Sequence, residues 1–186
     1  MGTKEHILDT AEYLFNVNGY TAVGVDLIRD TAGVSKTSMY RYFGSKNKLI
    51  LAVLARRHLR FEETLGSAVK PEMSMEEKLD VFVDWHFNWF GTEDFHGCMF
   101  MHAMSEFKES DGAIADSAYT HKKWLKSLIK NIILDNTDFG GKQAEAKSEA
   151  IMTFVEGMIV RAEFDDITPY RPVFRLAIRS LSKTRF

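Results

Sequence analysis

Between residues 33 and 46 the chain carries a dense series of side chains that can donate hydrogen bonds to a polyanion. Hydroxyls, two tyrosines and basic groups follow one another in the stretch GVSKTSMYRYFGSK. Such groups bind phosphate oxygens, and an arginine can also hold the O6 and N7 atoms of guanine. These residue types therefore indicate a surface that binds double-stranded DNA.

Three short helices are predicted to position that surface. An amphipathic helix ends at Asn18-Gly19, a second covers about 25–32, and a third covers about 36–43. Gly33 forms the turn between the second and third helices, and Ser35 caps the third. Met39 and Phe43 point inward at i and i+4, which leaves the polar side chains outward. The pattern predicts a helix-turn-helix.

The charge distribution agrees with that prediction. The net charge is −2, but residues 1–60 hold nine Lys/Arg against five Asp/Glu, a net +4, which leaves −6 for the remainder. A nucleic-acid-binding protein needs a local basic patch rather than a basic whole chain. We therefore expect a basic N-terminal part, here called the head (residues 1–60), and an acidic remainder, here called the body.

The remaining sequence is predicted to be helical throughout. Further helices are expected over about 46–68, 74–90, 98–108, 113–135, 142–164 and 172–183, with a polar turn at 136–141. The fold class is therefore all-α, with about nine helices. No signal peptide or membrane-length apolar stretch is visible, and the single cysteine excludes an internal disulfide. A cytoplasmic location without membrane attachment is expected.

The N-terminal pattern resembles the TetR family of transcriptional regulators. The matching features cover about residues 5–55 and comprise Leu14-Phe15, Asn18-Gly19-Tyr20, Ala32-Gly33-Val34-Ser35, Tyr40-Arg41-Tyr42-Phe43 and Ser45-Lys46. The resemblance implies a DNA-binding domain over 1–47 and a helical ligand-binding and dimerisation domain over 48–186. It also implies a homodimer, each subunit of which inserts its third helix into a major groove of a palindromic operator.

Site residues follow from the resemblance by position. The family usually has Thr or Ser at the head of the second helix, where this chain has Gly24, whose amide is left to contact phosphate. The residues expected at the DNA are Gly24, Ser35, Lys36, Thr37, Ser38, Tyr40, Arg41, Tyr42 and Lys46.

The resemblance also implies an effector pocket in the body, and occupancy of that pocket swings the two heads apart. The chain would then be a repressor that a small, largely apolar ligand releases from DNA. Apolar residues on two sides of the last two helices predict that these helices form the dimer interface. The pocket residues expected are Phe61, Phe82, Trp85, His86, Trp89, Phe100, His102, Met104, Phe107, Trp124, Phe154 and Met158.

Two alternatives remain open at this point. Cys98 and His102 lie one helical turn apart, His96 lies just upstream and Glu106 one turn on, so a metal- or thiol-responsive regulator is possible. The basic head could instead dock on an acidic partner protein. An enzyme is not expected, because no glycine-rich phosphate loop or nucleophile elbow is present, and no cofactor is expected.

Overall fold

A computed structural model describes residues 2–135 and 140–184. Within those ranges the chain is all-α and contains nine α-helices and no strand. The predicted turn at 136–141 lies largely outside the described residues. The helices are α1 (Thr3–Asn18), α2 (Val25–Ala32), α3 (Lys36–Phe43), α4 (Lys46–Phe61), α5 (Met75–Phe90), α6 (Met99–Phe107), α7 (Gly112–Leu134), α8 (Gly141–Phe164) and α9 (Arg171–Lys183).

Local signals set most of these helix ends. Ser74 caps α5 with a capping box: it accepts a hydrogen bond from the Glu77 amide, and its own amide donates to the Glu77 carboxylate at 2.8 Å. A π-helical turn over Glu62–Gly66 follows α4, and a 3-10 turn over Thr168–Tyr170 precedes α9. The helices predicted from the sequence are confirmed to within a few residues at their ends. No described helix is both long and apolar enough to cross a membrane.

The chain divides into two compact units. The first comprises residues 1–60 and 98–121, and the second comprises residues 61–97 and 122–186. The predicted domain boundary at residue 47 stays a prediction.

The first unit contains the helix-turn-helix and α6. Its apolar core includes fully buried residues from α1, α2 and α4, which makes a firm base for α3. Tyr20, which follows α1, is also fully buried, and its hydroxyl donates to the Met99 carbonyl at 3.0 Å. The fully buried side chains of α1, α2 and α4 are Ile7, Ala11, Phe15, Ile28, Leu49, Ile50, Val53 and Leu54.

In the second unit, α5 packs against α8 and α9. Four basic residues spaced four apart on α9 face a matching acidic and polar row on α5, so both rows follow the helical repeat. Arg175 binds Asp84 and Arg179 binds Asp80, each through two guanidinium nitrogens, and Lys183 lies 2.7 Å from Glu76. These ion pairs therefore hold one face of α9 against α5.

Candidate nucleic-acid interface

The helix-turn-helix angle is set by a left-handed glycine. Gly33 has φ +63°, and its amide donates to the Asp30 carbonyl at 3.2 Å while the Val34 amide reaches the Arg29 carbonyl. A residue with a Cβ would be strained in this conformation. His6 adds a contact between its Nε2 and the Ala32 carbonyl at 3.1 Å. The turn is thereby held from both α1 and α2.

Helix α3 is anchored by two side chains and exposes the others. Met39 and Phe43 are buried, as the i, i+4 spacing predicts. Ser35 caps the helix: its Oγ accepts from the Ser38 amide at 3.0 Å and lies 3.0 Å from the Ser38 Oγ. Ser35, Lys36, Thr37, Tyr40, Arg41 and Tyr42 are exposed, and Ser38 is half-buried. The sequence-predicted side chains are therefore accessible along the whole length of α3, from its N-cap to Tyr42.

The side chains of Arg41 and Tyr42 contact each other. The Arg41 guanidinium lies 4.9 Å from the centre of the Tyr42 ring and donates to the Tyr42 hydroxyl at 3.3 Å. A guanidinium this close to an aromatic face is attracted by the ring electrons. The pair therefore presents a guanidinium and a phenolic hydroxyl side by side at the C-terminal end of α3.

Lys46 lies at the start of α4, next to the segment that leads into α2. Its Nζ is 3.5 Å from the Thr21 carbonyl. Partial burial lowers its pKa, although the negative charge of Glu106 acts in the opposite direction. Gly24 is the N-cap of α2, with an extended backbone, and a Cβ added there would meet no atom within 4 Å. Lys46 and Gly24 thus lie at the starts of α4 and α2, the helices that follow and precede α3 in the chain.

Sequence reasoning did not assign the carboxylate that holds the α1–α2 connection. Glu106 of α6 accepts from the Tyr20 amide at 3.0 Å and from the Thr21 amide at 2.5 Å. Burial alone would raise the pKa of Glu106, but these hydrogen bonds outweigh it and the pKa is lowered. Gly19 has φ +79°, and a Cβ there would lie 3.2 Å from Glu106 Oε1. Nothing in the sequence signals a contact between segments some 85 residues apart.

The predicted pocket residues fall into both units. Phe61, Phe82, Trp85, His86 and Trp89 form one aromatic cluster in the second unit, with neighbouring ring centres 4.6–6.3 Å apart. Also in the second unit, Trp124 lies near Gly66, Phe154 packs on Phe174 and Met158 is buried. Phe100, His102, Met104 and Phe107 belong to the first unit, where Phe100 stacks on His121 at 3.6 Å and Phe107 packs on Tyr20.

The metal alternative gains no support from the geometry. Among the described residues, no group of three or more His, Cys, Asp or Glu side chains is arranged to hold a metal ion. Cys98 is a buried thiol at the N-cap of α6, and Glu106, the proposed fourth ligand, is engaged with backbone amides. His96 belongs to the second unit, whereas Cys98 and His102 belong to the first.

Comparison with known proteins identifies the N-terminal region. Residues 7–53 match the family model described as bacterial regulatory proteins, tetR family. An 85-residue stretch, 46% of this chain, is 35% identical to the transcriptional activator FasR of Mycolicibacterium smegmatis. A 63-residue stretch, 34% of this chain, is 38% identical to the transcriptional repressor NemR of Escherichia coli. The matches span 39% and 32% of those relatives' own length.

Solved structures share the fold along nearly the whole chain. SCO4454, a TetR-family transcriptional regulator from Streptomyces coelicolor, superposes with a TM-score of 0.89 at 19% identity, covering 97% of this chain and 94% of that one. A TetR transcriptional regulator from Legionella pneumophila gives a TM-score of 0.83 at 23% identity, covering 97% of each chain. Residues 7–53 therefore match the N-terminal region of the TetR family of bacterial regulatory proteins, and the described chain has the fold of solved TetR-family regulators.

Proposed function

We propose that this protein is a DNA-binding transcriptional regulator, a repressor that a small, largely apolar ligand releases from a palindromic operator. The observation that carries the proposal is the exposed polar surface of α3, which follows a glycine turn and a serine N-cap. A capped helix N-terminus attracts phosphate, and the side chains behind it reach base edges in a major groove.

In this proposal the residues of this surface have different roles. Lys36, Thr37 and Ser38, on the first turn of α3, would meet base edges or nearby phosphates. Arg41, oriented by Tyr42, would grip a guanine through two hydrogen bonds. Ser35, Tyr40, Tyr42, Lys46 and the Gly24 amide would bind phosphates and fix the register.

Replacing Lys46 with Gln tests the phosphate contact. Each neutralised phosphate releases counterions, so the plot of log affinity against log salt concentration should flatten by about one unit in this variant. Fluorescence anisotropy on a duplex enriched for binding measures the slope. Lys70→Gln removes the same charge from an exposed position in the second unit and should leave the slope unchanged. Equal slopes for wild type and Lys46→Gln would contradict a contact between Lys46 and a phosphate.

Replacing Gly24 with Thr should strengthen DNA binding. The backbone there is extended, with φ −80°, and a side chain has open space. A threonine hydroxyl at the head of α2 can add one phosphate hydrogen bond, which corresponds to about 2- to 10-fold in affinity. Gly24→Val has the same shape without the hydroxyl and is the control. If both variants bind duplex equally, no phosphate lies near this position.

The homodimer forms, in this proposal, through the last two helices. Ion pairs with α5 occupy one face of α9, while large apolar side chains elsewhere on α8 and α9 are exposed. Phe164 is 75% exposed, Leu176 66% and Val173 59%. Large apolar side chains exposed on both helices favour an interaction surface there, and a two-fold axis would bury them against the same residues of a second copy.

Leu176→Glu should therefore shift the protein from dimer to monomer, because it places a charge in the apolar interface. Analytical ultracentrifugation at micromolar concentration separates the 21.3 kDa monomer from the dimer. Leu59→Glu makes the same change at an exposed leucine of α4 and should leave the dimer intact. A wild-type monomer, or a dimer that tolerates Leu176→Glu, would contradict the assignment of this interface.

Ligand release requires that the effector bind the DNA-incompetent arrangement more tightly than the DNA-bound one. A coupling of about 1–3 kcal/mol changes operator affinity by about 5- to 150-fold. The aromatic clusters described above offer apolar surface for such a ligand.

A further inference from the structure

His86 stands out among the buried polar residues of the second unit. It lies in the middle of α5 and is fully buried. Its Nδ1 is 2.8 Å from the Phe82 carbonyl, whereas its Nε2 has no hydrogen-bond partner among the described residues. Buried polar atoms are normally paired, because an unpaired one loses its hydration without compensation. The unpaired ring nitrogen is therefore a position where a hydrogen-bond donor from outside the described residues would be stabilised.

The contact with Phe82 fixes which nitrogen carries the proton. A carbonyl oxygen can only accept, so Nδ1 must be the donor, and in the neutral ring Nε2 then holds a lone pair. Burial lowers the pKa of His86 from 6.5 to about 4; the hydrogen bond to the Phe82 carbonyl acts in the opposite direction, and the positive charge of Lys122 lowers the pKa a little further. The imidazole is therefore neutral at pH 7, and Nε2 presents itself as a hydrogen-bond acceptor.

Aromatic rings of the same helix, α5, lie beside the His86 imidazole. The His86 ring centre lies 4.6 Å from that of Phe82, 5.2 Å from Trp85, 6.2 Å from Phe90 and 6.3 Å from Trp89. Trp85, Trp89 and Phe90 are each partly exposed, so the cluster extends from the buried imidazole to solvent. A single unpaired polar atom beside flat apolar rings matches the composition of a small-molecule site.

We propose that this cluster, defined by His86, Phe82, Trp85, Trp89 and Phe90, binds a neutral aromatic molecule that bears a hydrogen-bond donor, such as a phenolic hydroxyl. The donor bonds to His86 Nε2 and the aromatic body packs against the rings. A carboxylate is disfavoured, because it faces a lone pair and meets no positive charge from the neutral imidazole. A ligand that only accepts is disfavoured for the same reason. The role of the neutral aromatic molecule as the effector rests on the proposed function, whereas its binding to this cluster does not.

Three probes of one shape test the proposal by isothermal titration calorimetry on DNA-free wild-type protein at pH 7.5. 2-Naphthol carries a donor, 2-methoxynaphthalene carries only an acceptor, and 2-naphthoate is an anion. We expect 2-naphthol to bind one molecule per chain, at least about tenfold more tightly than either of the others. Similar affinities for all three probes, or no binding of 2-naphthol, would overturn the proposal.

Two variants test whether His86 is the residue that causes the preference for 2-naphthol. In His86→Leu, which removes the acceptor, 2-naphthol and 2-methoxynaphthalene should bind with equal affinity. His96→Leu, which removes an exposed histidine of the same unit, should keep the wild-type preference. Discrimination that survives in His86→Leu would overturn the assignment to this residue. The wild-type comparison of the three probes stands even if a variant fails to fold.

The two proposals can fail separately. Duplex binding is measured without any probe, and probe binding is measured without duplex. The protein could select a DNA sequence but not discriminate among the probes. That result would support the proposed regulator and contradict the proposed ligand site. The protein could bind 2-naphthol selectively but select no DNA sequence. That result would support the ligand site and contradict its role as an effector site.

Discussion

Replacing Glu12 with Ala should lower the free energy of unfolding by about 3–5 kcal/mol, the typical cost of removing one partner from a buried ion pair. Glu12 lies on α1 and is 7% exposed, and its carboxylate accepts hydrogen bonds from three arginines of α4. The Glu12 oxygens lie 2.6 Å from Arg56, 2.8 Å from Arg60 and 3.2 Å from Arg57. Arg57 is itself 5% exposed, so alanine would leave buried positive charge without this carboxylate.

Urea denaturation of the DNA-free protein measures this loss, and Glu5→Ala is its matched control. Glu5 lies on the same helix, is exposed, and sits 3.7 Å from the same Arg56. Exposed pairs contribute about 0–1 kcal/mol, so this variant should remain near wild type. Equal small losses for the two variants would show that the Glu12 cluster does not hold α1 to α4.

The same cluster responds to acid. Burial alone would raise the pKa of Glu12, but the hydrogen bonds and charges of Arg60 and Arg56 outweigh it and the pKa is lowered below 4.5. The stability that Glu12 contributes is therefore present above pH 4.5 and is lost as the pH falls below that value.

His86 should make the protein less stable in acid over a different pH range. Its pKa is about 4 in the native protein and 6.5 when solvated, so between these values the unfolded chain binds a proton that the native protein does not. The free energy of unfolding must then fall as the pH decreases from about 6.5 to 4. A pKa difference of this size corresponds to about 3 kcal/mol.

Comparison of wild type with His86→Leu isolates this effect from the other titrating groups. Leucine fills a similar volume and cannot be protonated, so the variant should show less acid destabilisation, by about 3 kcal/mol between pH 7 and pH 4. Urea unfolding at several pH values gives the difference curve. A flat difference would mean that His86 takes up a proton as readily in the folded protein as in the unfolded chain.

Features set by nearby residues could be predicted from the sequence. The glycine turn at residue 33, the Ser35 and Ser74 caps, and the inward placement of Met39 and Phe43 depend on spacings of four residues or fewer. The polar surface of α3 follows from the same periodicity, because the positions that are not apolar must face outward. The resemblance then assigned that surface a partner.

Features that depend on distant segments could not be predicted. The bonds from Glu106 to the Tyr20 and Thr21 amides, and those from Glu12 to Arg56, Arg57 and Arg60, join positions 44 or more residues apart. Leu27 illustrates the limit within a helix: a leucine in an amphipathic helix is expected to face inward, yet Leu27 is 46% exposed. An eight-residue helix has only two buried positions here, Ile28 and Ala32, and periodicity alone does not choose them.

The most direct test of the central claim is selection of duplexes from a random library by the purified wild-type protein, in the absence of ligand. We expect enrichment of an inverted repeat, because two α3 helices related by a two-fold axis read the same sequence on opposite strands. Arg41→Ala should relax the preference at one symmetric pair of positions and leave the rest of the repeat recognisable. Enrichment of no sequence at all, in moderate salt where wild type still binds, would contradict the assignment of this protein as an operator-binding regulator.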